Sequence, residues 1–277
     1  MNGSNTSRWY GLLRSRGFLV GTGILLFWVA CALIGRMLVP FDPYAPDILD
    51  TLTPPSAAHW FGTDQLGRDV FSRVIVGARD ILIVAPLATA LGVTGGIALG
   101  LVTGYFRGLV DDVLSRMIDA LLALPLVITT LLTLAAIGAS VASVVIVVGI
   151  VFMPLVARTV RAAVLSESAL DYVAAAQLRD ENDLYILFVE ILPNVVPPIM
   201  VEATVRLGYA VFTVATLSFI GFGIQPPSPD WGLAISENYG LITGGIWWIV
   251  LFNALAIASL VLAVNFIGEA IHDTFES

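Results

Sequence analysis

The sequence predicts an all-α polytopic membrane protein with six transmembrane helices, an outer amphipathic helix before the second span and a helical cytoplasmic loop between the fourth and fifth. Three observations predict it. Hydrophobic residues make up 58% of the 277-residue chain and charged residues only 12%, about half the charged fraction of a soluble globular protein. Mean hydropathy is +0.92. Apolar runs of about 20 residues, the length that crosses the hydrocarbon layer, recur at 17–39, 81–105, 113–137, 141–160, 195–220 and 246–267. Residues 1–16 then form a cytoplasmic tail and 17–277 one transmembrane domain. Its outer loops are 40–80 and 221–245, and its long inner loop is 161–194.

The first run follows Arg8, Arg14 and Arg16, as a signal peptide would, but it exceeds a typical h-region and no small-residue cleavage site follows. Cys31 lies within it and reads as a buried helix residue. A single cysteine allows no disulfide or thiolate metal site within the chain. His59 and His272 have no metal-binding spacing.

In the 40–80 loop the proline-rich first half excludes a helix. The second half admits one, with Thr63 or Asp64 as N-cap. Val70, Phe71, Val74, Ile75 and Ala78 fall on one face, and Arg68, Asp69, Ser72 and Arg73 fall largely opposite. Such a helix either lies on the outer membrane surface or extends span two into water. Within span two, Gly92, Gly96, Gly100 and Gly104, with Gly95 beside them, form a small-residue stripe that predicts a close helix contact. The neighbour is in this chain or in a partner. Pro125 predicts a kink in span three, and Pro86 and Pro154 predict kinks in spans two and four. Asp111 with Asp112, and Arg116 with Asp119, read as interfacial anchors.

Arginines set the orientation. Arg8, Arg14, Arg16, Arg107, Arg116, Arg158, Arg161 and Arg179 gather on one side, against Arg36, Arg68, Arg73 and Arg79 on the other. Both termini are therefore expected in the cytoplasm.

The inner loop contains DYVAAAQLRDENDLYILFVEILPN, residues 171–194. Ser166 and Ser168 precede a short helical run in which Leu170, Val173, Ala174 and Gln177 share one side. Ala174 to Ala176 offer a small-residue surface that lets a partner approach closely. Arg179 to Asp183 predict a tight reversal, because Asp and Asn tolerate the left-handed conformation. A second short helix over 184–192 is expected to end at Pro193. Ordinary connections are a handful of residues, so a loop of this length suits docking of a partner better than a mere link.

Glu202 and Arg206 stand four apart on one face of span five. They form a self-neutralising pair or face a translocation path. The loop 221–232, dense in Gly and Pro, predicts an irregular cap.

All 13 basic residues are arginine. Without lysine the chain cannot build a Walker A phosphate loop, so ATP binding in the ordinary way is excluded. No metal, cofactor or nucleic acid is expected on it. A stand-alone transporter driven by an ion gradient, with Glu202 as the titrating group, would favour inverted repeats that the sequence does not show. A membrane scaffold without transport leaves the prolines and buried charges without a purpose.

The 171–194 stretch resembles the signature loop of permease subunits of bacterial ABC importers, in the dipeptide/oligopeptide/nickel branch. Tyr172-Val173, Ala175-Ala176, Asp183 and Ile191-Leu192-Pro193-Asn194 match it. Ala174 stands where the family has Glu, and Asp180 where it has Gly. HWFGTDQLGRDVFSRVIVGAR (59–79), LSFIGFGIQPPSPDWG (217–232), Trp247-Trp248 and VNFIGEAIHD (264–273) resemble further blocks of the family, so the resemblance runs from about Pro40 to the C-terminus. It implies a non-catalytic subunit of the bacterial inner membrane that pairs with a second homologous permease. Two ATPase subunits, carrying the ATP and Mg, would dock on the cytoplasmic face. An extracytoplasmic binding protein would deliver peptides or, within the same family, nickel, a metal chelate or glutathione. ATPase coupling falls to Asp171, Tyr172, Ala174, Ala175, Ala176, Asp180, Glu181 and Asp183. Glu202 and Arg206 are the candidates for the path. With Glu absent at 174, docking charge is expected to move to residues 179–183.

Overall fold

A computed structural model describes residues 15–276; Arg8, Arg14 and most of the expected N-terminal tail lie outside the described residues. The helices are α1 (Arg16–Leu38), α2 (Val70–Tyr105), α3 (Leu109–Leu122), α4 (Leu126–Ile137), α5 (Val141–Glu167), α6 (Asp171–Leu178), α7 (Asp183–Ile220), α8 (Trp231–Asn238) and α9 (Trp248–Glu276). Among the described residues α1, α2, α5, α7 and α9 are each long and apolar enough to cross a membrane, and α3 with α4 supplies a sixth span if the pair is counted as one. The chain is an all-α polytopic membrane protein.

Span three is more than kinked. Its halves meet at 87°. Pro125 caps α4 in an extended conformation (φ −58°, ψ 123°). It has no N–H to continue the α3 ladder, and its ring drives the preceding residue out of the helical region.

The stretch after 63 resolves in favour of an extension of span two. Helix α2 runs unbroken from Val70, and its N-cap is Asp69, not Thr63 or Asp64. The Asp69 carboxylate accepts the Ser72 N–H at 2.7 Å. The polar face does not meet water, because Ser72 and Arg73 are buried. Arg73 donates to the Pro43 and Ser228 carbonyls at 3.0 and 3.3 Å, so loops 40–69 and 221–230 cover it.

The glycine stripe finds its neighbour within the chain. A Cβ on Gly92, Gly100 or Gly104 would fall 2.8, 2.5 and 2.7 Å from the Cβ of Phe152, Val160 and Val164, and Gly96 meets Val156 in the same way. Four glycines four residues apart thus receive a ridge of α5 side chains also spaced by four. This is the close small-residue packing that holds helices together where lipid gives no hydrophobic drive. Helix α1 lies across α2 and α9. Its Gly35 abuts Ile75, and its Trp28 indole donates to Ser259 Oγ at 2.9 Å. Cys31 is buried there, while Leu26, Leu33 and Met37 point outward.

Two acids near the start of span three pair across to α5. Asp111 binds Arg161 through both oxygens at 2.7 Å. Asp119 binds Arg158 at 3.0 Å, so its partner is not the neighbouring Arg116. A second apolar cluster, distinct from the main one, gathers at this end. It joins Leu101, Val156, Val160 and Val164 to Val173, Ala176, Ile186, Ile191 and Val195.

Candidate functional site

That second cluster seats the 171–194 loop. Val173 and Ala176 of α6 are fully buried in it. Of the three alanines, Ala176 therefore faces the chain's own core rather than a partner. Asp171, Ala174, Ala175 and Leu178 are exposed. Their spacing (i, i+3, i+4, i+7) makes one helix face. Leu178 is 89% exposed and Leu170, just before the helix, 48%. The outward surface is thus two small residues flanked by two leucines, with Asp171 at the electropositive helix N-terminus.

The reversal at 179–183 forms as expected, and its geometry explains Asp180. The Asp180 N–H reaches the Gln177 carbonyl at 3.0 Å and the Glu181 N–H reaches the Ala176 carbonyl at 3.3 Å. This pair of bonds is a Schellman motif, whose C′ residue must be left-handed. Asp180 is that residue, with φ +59°. The family's glycine position is therefore a conformational requirement, which aspartate meets at a small cost. Asp180→Gly is expected to fold at least as well as the parent, and Asp180→Val to lose about 1–2 kcal/mol; thermal unfolding of the solubilised proteins measures both.

Side chains tie the loop to three spans. The Tyr172 hydroxyl donates to Glu167 at 2.9 Å, at the end of α5, and accepts from Asn194 Nδ2 at 3.2 Å. Asn194 also holds the Glu190 carbonyl at 2.8 Å. Burial and the Glu167 carboxylate push the Tyr172 phenol up to about 12, so it stays a donor at any physiological pH. Asp183 accepts from the Tyr105 hydroxyl at 2.8 Å, at the end of α2. Arg179 pairs with Glu181 and Glu190 at 3.6 and 3.4 Å. Tyr172, Asp180 and Asp183 thus build the platform, while Asp171, Ala174 and Ala175 form its outward face. Sequence reasoning missed Tyr105, Glu167 and Glu190, which lie outside the matched motif. Asn194 was legible as part of Ile-Leu-Pro-Asn.

Pro193 does not end the second helix. Residues Ile186–Ile191 form a π-helical turn and α7 continues through Pro193 to Ile220. The wider turn shifts the hydrogen-bond register just ahead of the residue that lacks an N–H, and the chain passes from loop to span as one rigid rod.

Further along α7, Arg206 Nε donates to Glu202 Oε1 at 2.6 Å, and both side chains are mostly buried. The guanidinium also lies over the Tyr209 ring at 5.4 Å. The two charges satisfy each other within one helix face.

At the opposite end the loops form an ordered cap. Asp64 holds Arg68 at 2.7 Å and Arg73 at 3.5 Å, and His59 Nδ1 lies 2.9 Å from Asp69. The Trp231 and Trp248 indoles donate to the Val74 and Thr63 carbonyls. Loop 221–232 is irregular only as far as Asp230, which caps α8 by accepting from the Leu233 N–H at 2.8 Å. Burial pushes the Asp230 carboxyl up to about 6.

Comparison with known proteins agrees with this architecture. Residues 96–277 match the family described as binding-protein-dependent transport system inner membrane component, and residues 7–55 match the N-terminal TM domain of oligopeptide transport permease C. The chain is 35% identical to a di/tripeptide transport system permease protein of Pseudomonas aeruginosa, over 97% of this chain and 90% of that one. It is 32% identical to a dipeptide transport system permease protein of Haemophilus influenzae, over 97% and 92%. It is 35% identical to a glutathione transport system permease protein of Pectobacterium atrosepticum, over 97% and 89%. Similarity at this level along almost the whole chain leaves no place for a stand-alone ion-driven transporter: with its broken third span, its glycine-packed second and fourth and its platform between the fourth and fifth, the chain belongs to the family of binding-protein-dependent transport system inner membrane components.

Proposed function

We propose that this chain is a non-catalytic permease subunit of an ATP-driven importer of peptides, forming half of the translocation path beside a second, homologous permease. In this reading an extracytoplasmic binding protein delivers substrate to the capped end. Two ATPase subunits act at the end that holds α6, and both termini lie on that side. The observation that carries the proposal is the outward face of α6. It is an exposed Ala-Ala-Leu surface on a helix bonded to the end of α5 and the start of α7, which is bonded in turn to the end of α2, so a push on it reaches three spans as a rigid body. Peptides are favoured because relatives named for di- and tripeptide transport match along nearly the whole chain.

The test places cysteine at 174 or 178 in the assembled complex and measures crosslinking to an ATPase subunit, with uptake of labelled dipeptide alongside. Ala175→Glu is expected to cut uptake at least about tenfold while the protein remains in the membrane, as burying an unpaired charge at an interface does. Cysteine 178 left unreacted beside a working transporter would remove the coupling assignment. Competition by dipeptide, glutathione and nickel in the same assay ranks the substrates. Uptake unchanged in both Glu202→Gln and Arg206→Gln assigns that pair to structure alone.

A further inference from the structure

A groove of about 460 Å³ opens between α1, α2, α7 and α9, within the volume range of small-ligand sites. Leu25, Val29, Ile83, Pro86, Leu207 and Val264 are among the residues that line it, and its single charged lining residue is Arg79. Leu33, at the groove, is 78% exposed and Ile83 43%, so its mouth opens on the outer surface of the bundle.

Arg79 is unlike the other arginines at this end. Arg68 and Arg73 are held by Asp64, and Arg36 lies over the Tyr44 ring. Among the described residues the Arg79 side chain makes no hydrogen bond or ion pair, and it is exposed. It stands nine residues into α2, immediately before the apolar run that begins at 81, among apolar residues of α1 such as Val29 and Leu33. A cation there is costly without an anion or water. From Arg79 the groove descends past Ile83 to Pro86, roughly 10 Å along the helix.

We propose that this groove binds an anionic phospholipid, its phosphate on the Arg79 guanidinium and one acyl chain along Ile83, Pro86 and Leu207. Charge complementarity selects the occupant. The apolar walls accept a hydrocarbon chain, and the one cation that lines the groove has no anion of the chain beside it, while its guanidinium matches phosphate geometry. A lipid here would bridge α1 to the α2–α7–α9 core at the side of the bundle where α1 presents most of its own surface outward. The site is independent of which solute the transporter carries.

The full complex, stripped of lipid in detergent, is reconstituted with equal phosphatidylglycerol and phosphatidylcholine, and retained lipid is read by native mass spectrometry. The parent is expected to retain phosphatidylglycerol about five-fold over phosphatidylcholine, the factor one arginine–headgroup contact gives. Arg79→Gln should fall to parity, and Arg79→Lys and Arg36→Gln should keep the preference. Val29→Trp, which fills the groove, should retain neither lipid. Parity in the parent, a preference that survives in Arg79→Gln, or a helix of another subunit seated in the groove would each overturn the proposal.

Discussion

Gly100→Leu is expected to leave almost no folded protein in the membrane, and Gly100→Ala to lower stability by about 1–3 kcal/mol. The reason is what surrounds the glycine. A Cβ at 100 would stand 2.5 Å from Val160 Cβ and 2.9 Å from the Ala157 carbonyl oxygen. Gly92 and Gly104 meet backbone carbonyls of α5 at 3.0 and 3.1 Å in the same manner. Side-chain rotation cannot clear a carbonyl, so any added atom must separate the two helices. Separation would also disturb the platform, since Val156, Val160 and Val164 pack in one cluster with Val173 and Ala176 of α6. Thermal unfolding of the solubilised chain reads the effect. Val160→Ala in the Gly100→Ala background should recover only a small part of the loss, because it removes the Val160 Cγ1 at 2.8 Å but leaves the Val160 Cβ at 2.5 Å and the Ala157 carbonyl in place. A Gly100→Leu protein that melts with the parent would mean that α2 and α5 do not pack as described.

Much of this architecture was legible. Apolar length marked all six runs, and Pro125 marked the third as bent. The reversal at 179–183 was legible because few residues other than glycine accept a left-handed backbone as Asp180 does. The glycine spacing announced a close contact, but not with which helix, since small residues advertise approach and leave the partner unnamed. The polar stripe Arg68–Asp69–Ser72–Arg73 misled for a related reason. Amphipathicity states that polar groups need partners, and it is silent on whether water or protein supplies them; here Pro43 and Ser228 do. Pro193 was read as a stop because the rule assumes an α ladder, and the π turn at Ile186–Ile191 removes that assumption. In the 171–194 loop the motif residues were visible, but their division into platform and outward face was not. That division depends on Glu167, Tyr105 and Asn194 arriving from three different segments around Tyr172 and Asp183.

Asp64→Ala is expected to cost about 3–5 kcal/mol, the range for stranding a buried charge by removing its partner. Asp64 accepts the backbone N–H groups of Leu66 and Arg68 at 2.9 and 3.0 Å. Its other oxygen meets Arg68 at 2.7 Å and Arg73 at 3.5 Å. The Asp64 and Arg73 side chains are only 4% and 5% exposed, so water cannot replace the carboxylate. Asp64→Asn keeps the shape and both backbone bonds and should cost less. Asp64→Ala with Arg73→Met removes both charges and should regain part of the loss, the coupling that a double-mutant cycle isolates. A cost below about 1 kcal/mol for Asp64→Ala, the value of an exposed pair, would show that solvent reaches the cluster. Arg73→Lys is not a conservative control. The planar guanidinium serves the Asp64 carboxylate and the Pro43 and Ser228 carbonyls at once. A point-charge ammonium on a flexible stem lacks that fork, so the lysine variant should unpin at least one of the two loops from α2.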